Sequence, residues 1–126
     1  MSVSPTMRTL KALRERGLTP WIVERSIPKK PHSIKVDAYH FIDLLAISKA
    51  AGIIGVQSCG QGFSEHVKKI KAEPLVIEWL QSGGKAELWG WRKVKKKRGG
   101  KAMVWKPRIA DILTDGKNIE ILERKA

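Results

Sequence analysis

The chain has 126 residues, 42% of them apolar, with 25 Lys and Arg against 12 Asp and Glu, a formal net charge of +13. That length gives one domain with a modest core, and that apolar fraction argues against disorder. The single cysteine, Cys59, excludes an intrachain disulfide and a multi-cysteine zinc site, while the charge excess points to a polyanionic partner, nucleic acid first.

Ser4-Pro5 opens a predicted helix, with a capping hydroxyl followed by proline at the first helical position. Met7, Leu10 and Leu13 form its narrow apolar stripe, Arg8, Lys11, Arg14 and Arg16 take most of the remaining surface, and Gly17 ends it. Thr19 to Glu24 is an expected strand. Arg25 to Asp37 holds two prolines, Lys29, Lys30, His32 and Lys35 without periodicity, and is expected to be a mobile basic loop.

Two strands should follow, about His40 to Ile47 and Ile53 to Cys59, joined by a turn over Ser48 to Gly52. Strand alternation gives Gln57 and Cys59 one face and Ser58 the other. Pairing around the turn would bring Asp43 beside Gln57 and Cys59. A carboxylate in an apolar strand is costly to bury, and metal binding is one reason to keep it there. A structural role, bonded to backbone amides, is the other.

Ser64 is a candidate cap for a helix carrying Glu65, His66, Lys68, Lys69 and Lys71, which Glu73-Pro74 interrupts and restarts. That second piece, with Leu75, Trp79 and Leu80 on its apolar face, ends at Ser82-Gly83-Gly84. Lys85 to Val94 and Ala102 to Ile109 read as strands around a basic tip, KKKRGGK, and the tail either adds a last strand or lies over the sheet. Trp21 and Trp79 are expected in the core. Trp89 and Trp91 share a strand face, with Trp105 facing them across the hairpin. Cross-strand packing accounts for these three, and a base-stacking platform is the alternative.

This order of elements, with Asp43 on the second strand and Gln57-Ser58-Cys59 ending the third, resembles the PD-(D/E)XK nuclease superfamily. The likeness is to its small Holliday-junction-resolvase-like and VRR-NUC-like domains, including short phage proteins, and SGGKAELWGW after the helix is similar to phage members. The resemblance covers about Ser4 to Val94. It implies an α/β fold with a restriction-endonuclease-like αβββαβ core, a central mixed sheet flanked by helices, and an added C-terminal β-hairpin. Residues 1–126 would form one nuclease domain, its core about 4–94 and its hairpin and tail 95–126.

What the resemblance implies for chemistry is a metal-dependent DNA endonuclease, resolvase-like, acting on branched or duplex DNA through a metal-activated water. Asp43 matches the metal-binding acid and Gln57 the second ligand, with Mg2+ or Mn2+ between them; Gln57 could equally be a hydrogen-bond partner of Asp43. Cys59 stands where the family places a lysine, and a thiol cannot supply that positive charge. Lys68 and Lys69 on the following helix are the expected replacements. Glu15 or Glu24 could stand in for the family's helix acid. Lys29, Lys30, Lys35, Lys93, Lys95, Lys96, Lys97, Arg98 and Lys101 are the expected phosphate contacts. A homodimer is implied, because two symmetric nicks need two sites. With no long apolar run and no apolar signal core, the expected location is cytoplasmic, in a bacterium or phage-infected host, with no membrane partner. The alternative is an inactive nucleic-acid-binding module of the same fold, and a third reading is a packaging accessory whose basic surface serves assembly.

Overall fold

The computed structural model describes residues 3–125. In chain order these form α1 (Pro5–Glu15), β1 (Thr19–Ile22), β2 (Arg25–Ile27), β3 (Ile34–Val36), β4 (Leu44–Ser48), β5 (Gly52–Cys59), α2 (Phe63–Ala72), α3 (Pro74–Gln81), β6 (Lys85–Lys95), β7 (Met103–Thr114) and β8 (Ile119–Glu123). Six strands make one sheet in the order β1-β4-β5-β6-β7-β8, and β2 and β3 make a separate hairpin. Only the β5–β6 pairing is parallel, since α2 and α3 carry the chain back between them. The fold is therefore α/β, a mixed sheet flanked by helices, as expected.

Each face of the sheet buries a different core. Leu10 and Leu13 of α1 pack on Leu44, Ala46, Ile54, Val56, Trp89, Trp91 and Ile109. On the other face Ile70 of α2 and Val76 of α3 pack with Phe41, Ile42, Cys59, Leu88, Ala110 and Ile112. Strand alternation assigns neighbours to opposite layers, so Cys59 lies under the α2–α3 layer while Ser58 meets α1. Ser4 caps α1, its Oγ accepting from Met7 N–H, with Pro5 next to it. Met7 is exposed, and Thr9 takes the buried position beside Leu10 instead. Glu73 separates the two later helices and caps α3, accepting from Leu75 N–H.

Several expectations change. Arg25 to Asp37 is not a structureless loop: Arg25, Ser26 and Ile27 pair antiparallel with Val36, Lys35 and Ile34. The pairing uses the isoleucines on either side of the proline-containing turn, whose local pattern is too short to show a period. The cap of α2 is Gly62, not Ser64, because the glycine reaches a left-handed conformation at φ 91° that starts the helix earlier. Trp21 is 69% exposed rather than core, since β1 is an edge strand and no helix covers its side of the sheet there. The second half of β7 supplies the buried Ile109, Ala110 and Ile112, and of the two courses expected for the tail it takes the first, adding β8 as the last strand. No helix among the described residues is long and apolar enough to cross a membrane.

Candidate functional site

Asp43 sits immediately before β4 rather than within it, and its backbone is pinned on both sides. Its N–H donates to Val56 O (2.9 Å), and its carbonyl accepts from Val23 N–H (2.9 Å) and Glu24 N–H (3.0 Å). That last pair brings Glu24, just past the end of β1, alongside. The strand expected from His40 starts later because Tyr39 and His40 take left-handed φ values of 50° and 67°. Two consecutive side-chain-bearing residues there are costly, and the bend is held by reciprocal Ala38–Ile42 backbone hydrogen bonds of 2.9 Å and by His40 Nδ1 against Glu73 Oε1 (2.9 Å). The tight reversal returns Asp37 next to Asp43.

Glu24, Asp37 and Asp43 thus converge from three segments, with one carboxylate oxygen of each within 4.8 Å of the others. Asp43 is buried and accepts a hydrogen bond from Ser58 N–H at 2.8 Å. Burial above all, with the neighbouring Asp37 and Glu24, raises its carboxyl to about 9 against the lowering effect of the Ser58 amide. Oxygen atoms from three carboxylates are the donor set that hard divalent cations prefer. Exposed acid groups often cluster without an ion; here one of the three is desolvated and fixed by backbone.

Gln57 is buried, and its Oε1 has no hydrogen-bond partner among the described residues. Cys59 is buried, and desolvation together with the Asp43 charge pushes its thiol up to about 11, which keeps it neutral. It therefore packs, with neither the charge of a lysine nor the reactivity of a thiolate. Lys68 and Lys69 are exposed on α2, and neither forms an ion pair among the described residues. The cation that reaches the acid group is Lys35, on β3, with Nζ 3.7 Å from Glu24 Oε1. Lys35, Glu24 and Ser58 line one hollow with Ser4, Pro5, Thr6 and Met7 at the start of α1. Glu15 is exposed at the far end of α1, away from this hollow-lining turn.

A buried hydroxyl network ties that helix to the acid corner. The Thr9 hydroxyl donates to Pro5 O (2.9 Å), while its oxygen receives the Trp91 indole N–H (2.8 Å) and the Ser58 hydroxyl (2.7 Å). Because Ser58 also holds Asp43 through its amide, α1, β5 and β6 are coupled at this point. Sequence reading missed Asp37 and Thr9. Asp37 lay in a segment read as loop, and Thr9 lay outside the apolar stripe. The one signal for Asp37 was its six-residue spacing to a second aspartate across an aromatic tip.

A second polar surface, where β6 ends and β7 begins, is basic. β6 and β7 stay paired past the end of β5, from Trp91–Pro107 out to Lys95–Met103, and Lys96 N–H donates to Ala102 O (2.9 Å) beyond them. β5 ends at Cys59 opposite Gly90, so β6 runs on to Lys95, about 17 Å further at strand rise. This arm carries exposed Lys93, Lys95, Lys96, Lys97, Arg98 and Lys101, and it leaves the sheet at the same end as Ser58. Lys29 and Lys30 are exposed in the β2–β3 turn. Compared with protein-family models, curated proteins and solved structures, the chain matches none.

Proposed function

We propose that this protein is a metal-dependent DNA endonuclease of the PD-(D/E)XK type. The observation that carries the reading is the convergence of Glu24, Asp37 and Asp43 at the start of β4 and the end of β5, with Asp43 buried and oriented by Ser58 N–H. In this reading Asp43, with Asp37 and Glu24, holds Mg2+ or Mn2+, and the unpartnered Gln57 Oε1 is the further oxygen the resemblance assigns. When bound, such an ion polarises a phosphate oxygen and lowers the pKa of a water. The protein's own part is to fix the carboxylates before substrate arrives, through the Thr9–Ser58–Asp43 chain. Lys35 supplies the positive charge beside the reacting phosphate that Cys59 cannot, in place of Lys68 or Lys69. The β6–β7 arm and the Lys29–Lys30 turn hold the DNA backbone without reading sequence.

Resolvase-type chemistry calls for a homodimer. Trp21, Ile47 and Ile53 are exposed, and strand register sets them on one side of the sheet at its β1 end, an apolar surface that a second copy would bury. The buried, neutral Cys59 at the family's lysine position favours a second reading, a binding module without catalysis.

Nicking of branched and linear DNA with Mg2+ or Mn2+ separates the two. Wild type should cleave, and Asp43→Asn should lose at least about a hundredfold in rate while still binding DNA. A folded wild type that binds DNA and cuts nothing under either metal would establish the binding module.

A further inference from the structure

The five tryptophans divide into roles that the sequence left open. Trp89 and Trp91 are buried with their indole N–H groups bonded to Glu87 and Thr9, and Trp79 donates to Lys85 O (2.8 Å). These three are packing residues. Trp105 differs: it is 42% exposed, out on the arm, opposite Lys93 in the ladder. The Arg8 guanidinium lies over its ring at 4.3 Å from the centroid, and Lys93 Nζ is at 5.8 Å. From Leu88 to Ala110 there is no carboxylate at all. Lysines alone would suffice to hold phosphates, and a large half-exposed indole adds nothing to that. The Arg8 guanidinium covers one face of the ring, and a flat aromatic ring set among cations suits an unpaired base and its phosphate.

Arg8 also joins this ring to the candidate site. It follows directly on Ser4 to Met7, which line the hollow shared with Glu24, Lys35 and Ser58. A strand stacked on Trp105 would therefore lead along the start of α1 toward the acid corner.

We propose that Trp105 is a stacking platform for an unpaired nucleotide, so that the substrate class is DNA with a single-stranded segment, such as a flap or branch, rather than fully paired duplex. This inference rests on the nuclease reading for its meaning, but its test does not require cleavage. In chelator, fluorescence anisotropy with labelled oligonucleotides compares a fully paired duplex with the same duplex bearing a single-stranded flap, for wild type, Trp105→Ala and Trp105→Phe. Wild type should bind the flap substrate more tightly. Trp105→Ala should lose about tenfold on the flap and little on the duplex, and Trp105→Phe should recover most of it. An equal loss on both substrates, or no loss on the flap, would overturn the proposal. Thermal unfolding of each variant checks that the exposed ring was not needed for folding. Failure here leaves the acid corner untouched, whereas loss of cleavage in Asp43→Asn with flap preference intact would separate chemistry from recognition.

Discussion

The acid corner and the β6–β7 arm are both polar, yet they are built in opposite ways. At the corner, three acid groups are crowded together and one is taken out of water, where its carboxyl holds its proton. The fold holds them there with the Val56, Val23, Glu24 and Ser58 backbone groups and with a strained bend at Tyr39–His40. On the arm, like charges stand in solvent on a two-stranded ribbon, where burial costs nothing and screening is strong. The corner draws on folding stability, and the arm does not. The two regions should therefore answer differently when their charges are removed: the corner in stability, the arm in binding.

The sharpest test of that contrast is the sign of a stability change. Asp43 binds its proton more tightly in the native state than in the unfolded chain, because burial raises its carboxyl from 3.8 to about 9. Between those values the native state carries more protons, so metal-free stability should fall as pH rises from about 4 to 9. Asp43→Asn keeps an acceptor for Ser58 N–H and removes the titrating group, and with it the cost of taking up a proton on folding. At pH 8 in chelator it should be more stable than wild type, on the order of a few kcal/mol, given about 1.4 kcal/mol per pKa unit. Its pH dependence should be flatter. A destabilised Asp43→Asn would break the comparison, and urea unfolding across pH decides it.

The arm should respond on binding alone. Replacing Lys95, Lys96, Lys97 and Arg98 together by Gln should weaken DNA binding by about a hundredfold at low salt and flatten the dependence of log K on log salt by roughly 0.9 per lost phosphate contact. The urea midpoint should move by no more than about 0.5 kcal/mol equivalent. Unchanged affinity would remove the arm from the DNA surface.

The smallest effect concerns the link between the two regions. Thr9→Val keeps the volume but leaves the Trp91 N–H and the Ser58 hydroxyl without their acceptor, and should cost about 1–3 kcal/mol in urea unfolding. If the network positions the corner, the variant also binds Mn2+ more weakly, and a purely structural Thr9 would leave metal affinity unchanged.

How much of this was readable in the chain follows the range of the interactions. Local chemistry was legible. Ser4-Pro5 started a helix, Glu73-Pro74 divided one, and Ser48 to Gly52 joined two strands, because each depends on residues a few positions apart. Period-two alternation correctly separated Ser58 from Cys59 and marked Asp43 as out of place in an apolar run. Strand pairing put Trp105 on the same face as Trp89 and Trp91, but its cross-strand partner is Lys93, with Ile109 and Pro107 opposite the other two.

Only the tertiary structure decided which charges meet. Asp37 and Asp43 approach because two residues adopt left-handed φ, a choice that neither Tyr nor His advertises and that the surrounding packing imposes. Glu24 arrives through edge-strand pairing, Lys35 through a hairpin hidden in a proline-rich stretch, and Thr9 through a contact across 49 residues. The sequence by itself determined the helices, the strands of the central sheet up to β7 and the net charge, since propensity, periodicity and composition are local or additive. Burial, and with it the raised Asp43 carboxyl and the exposure of Trp21 and Trp105, depends on what long-range pairing stacks over each residue.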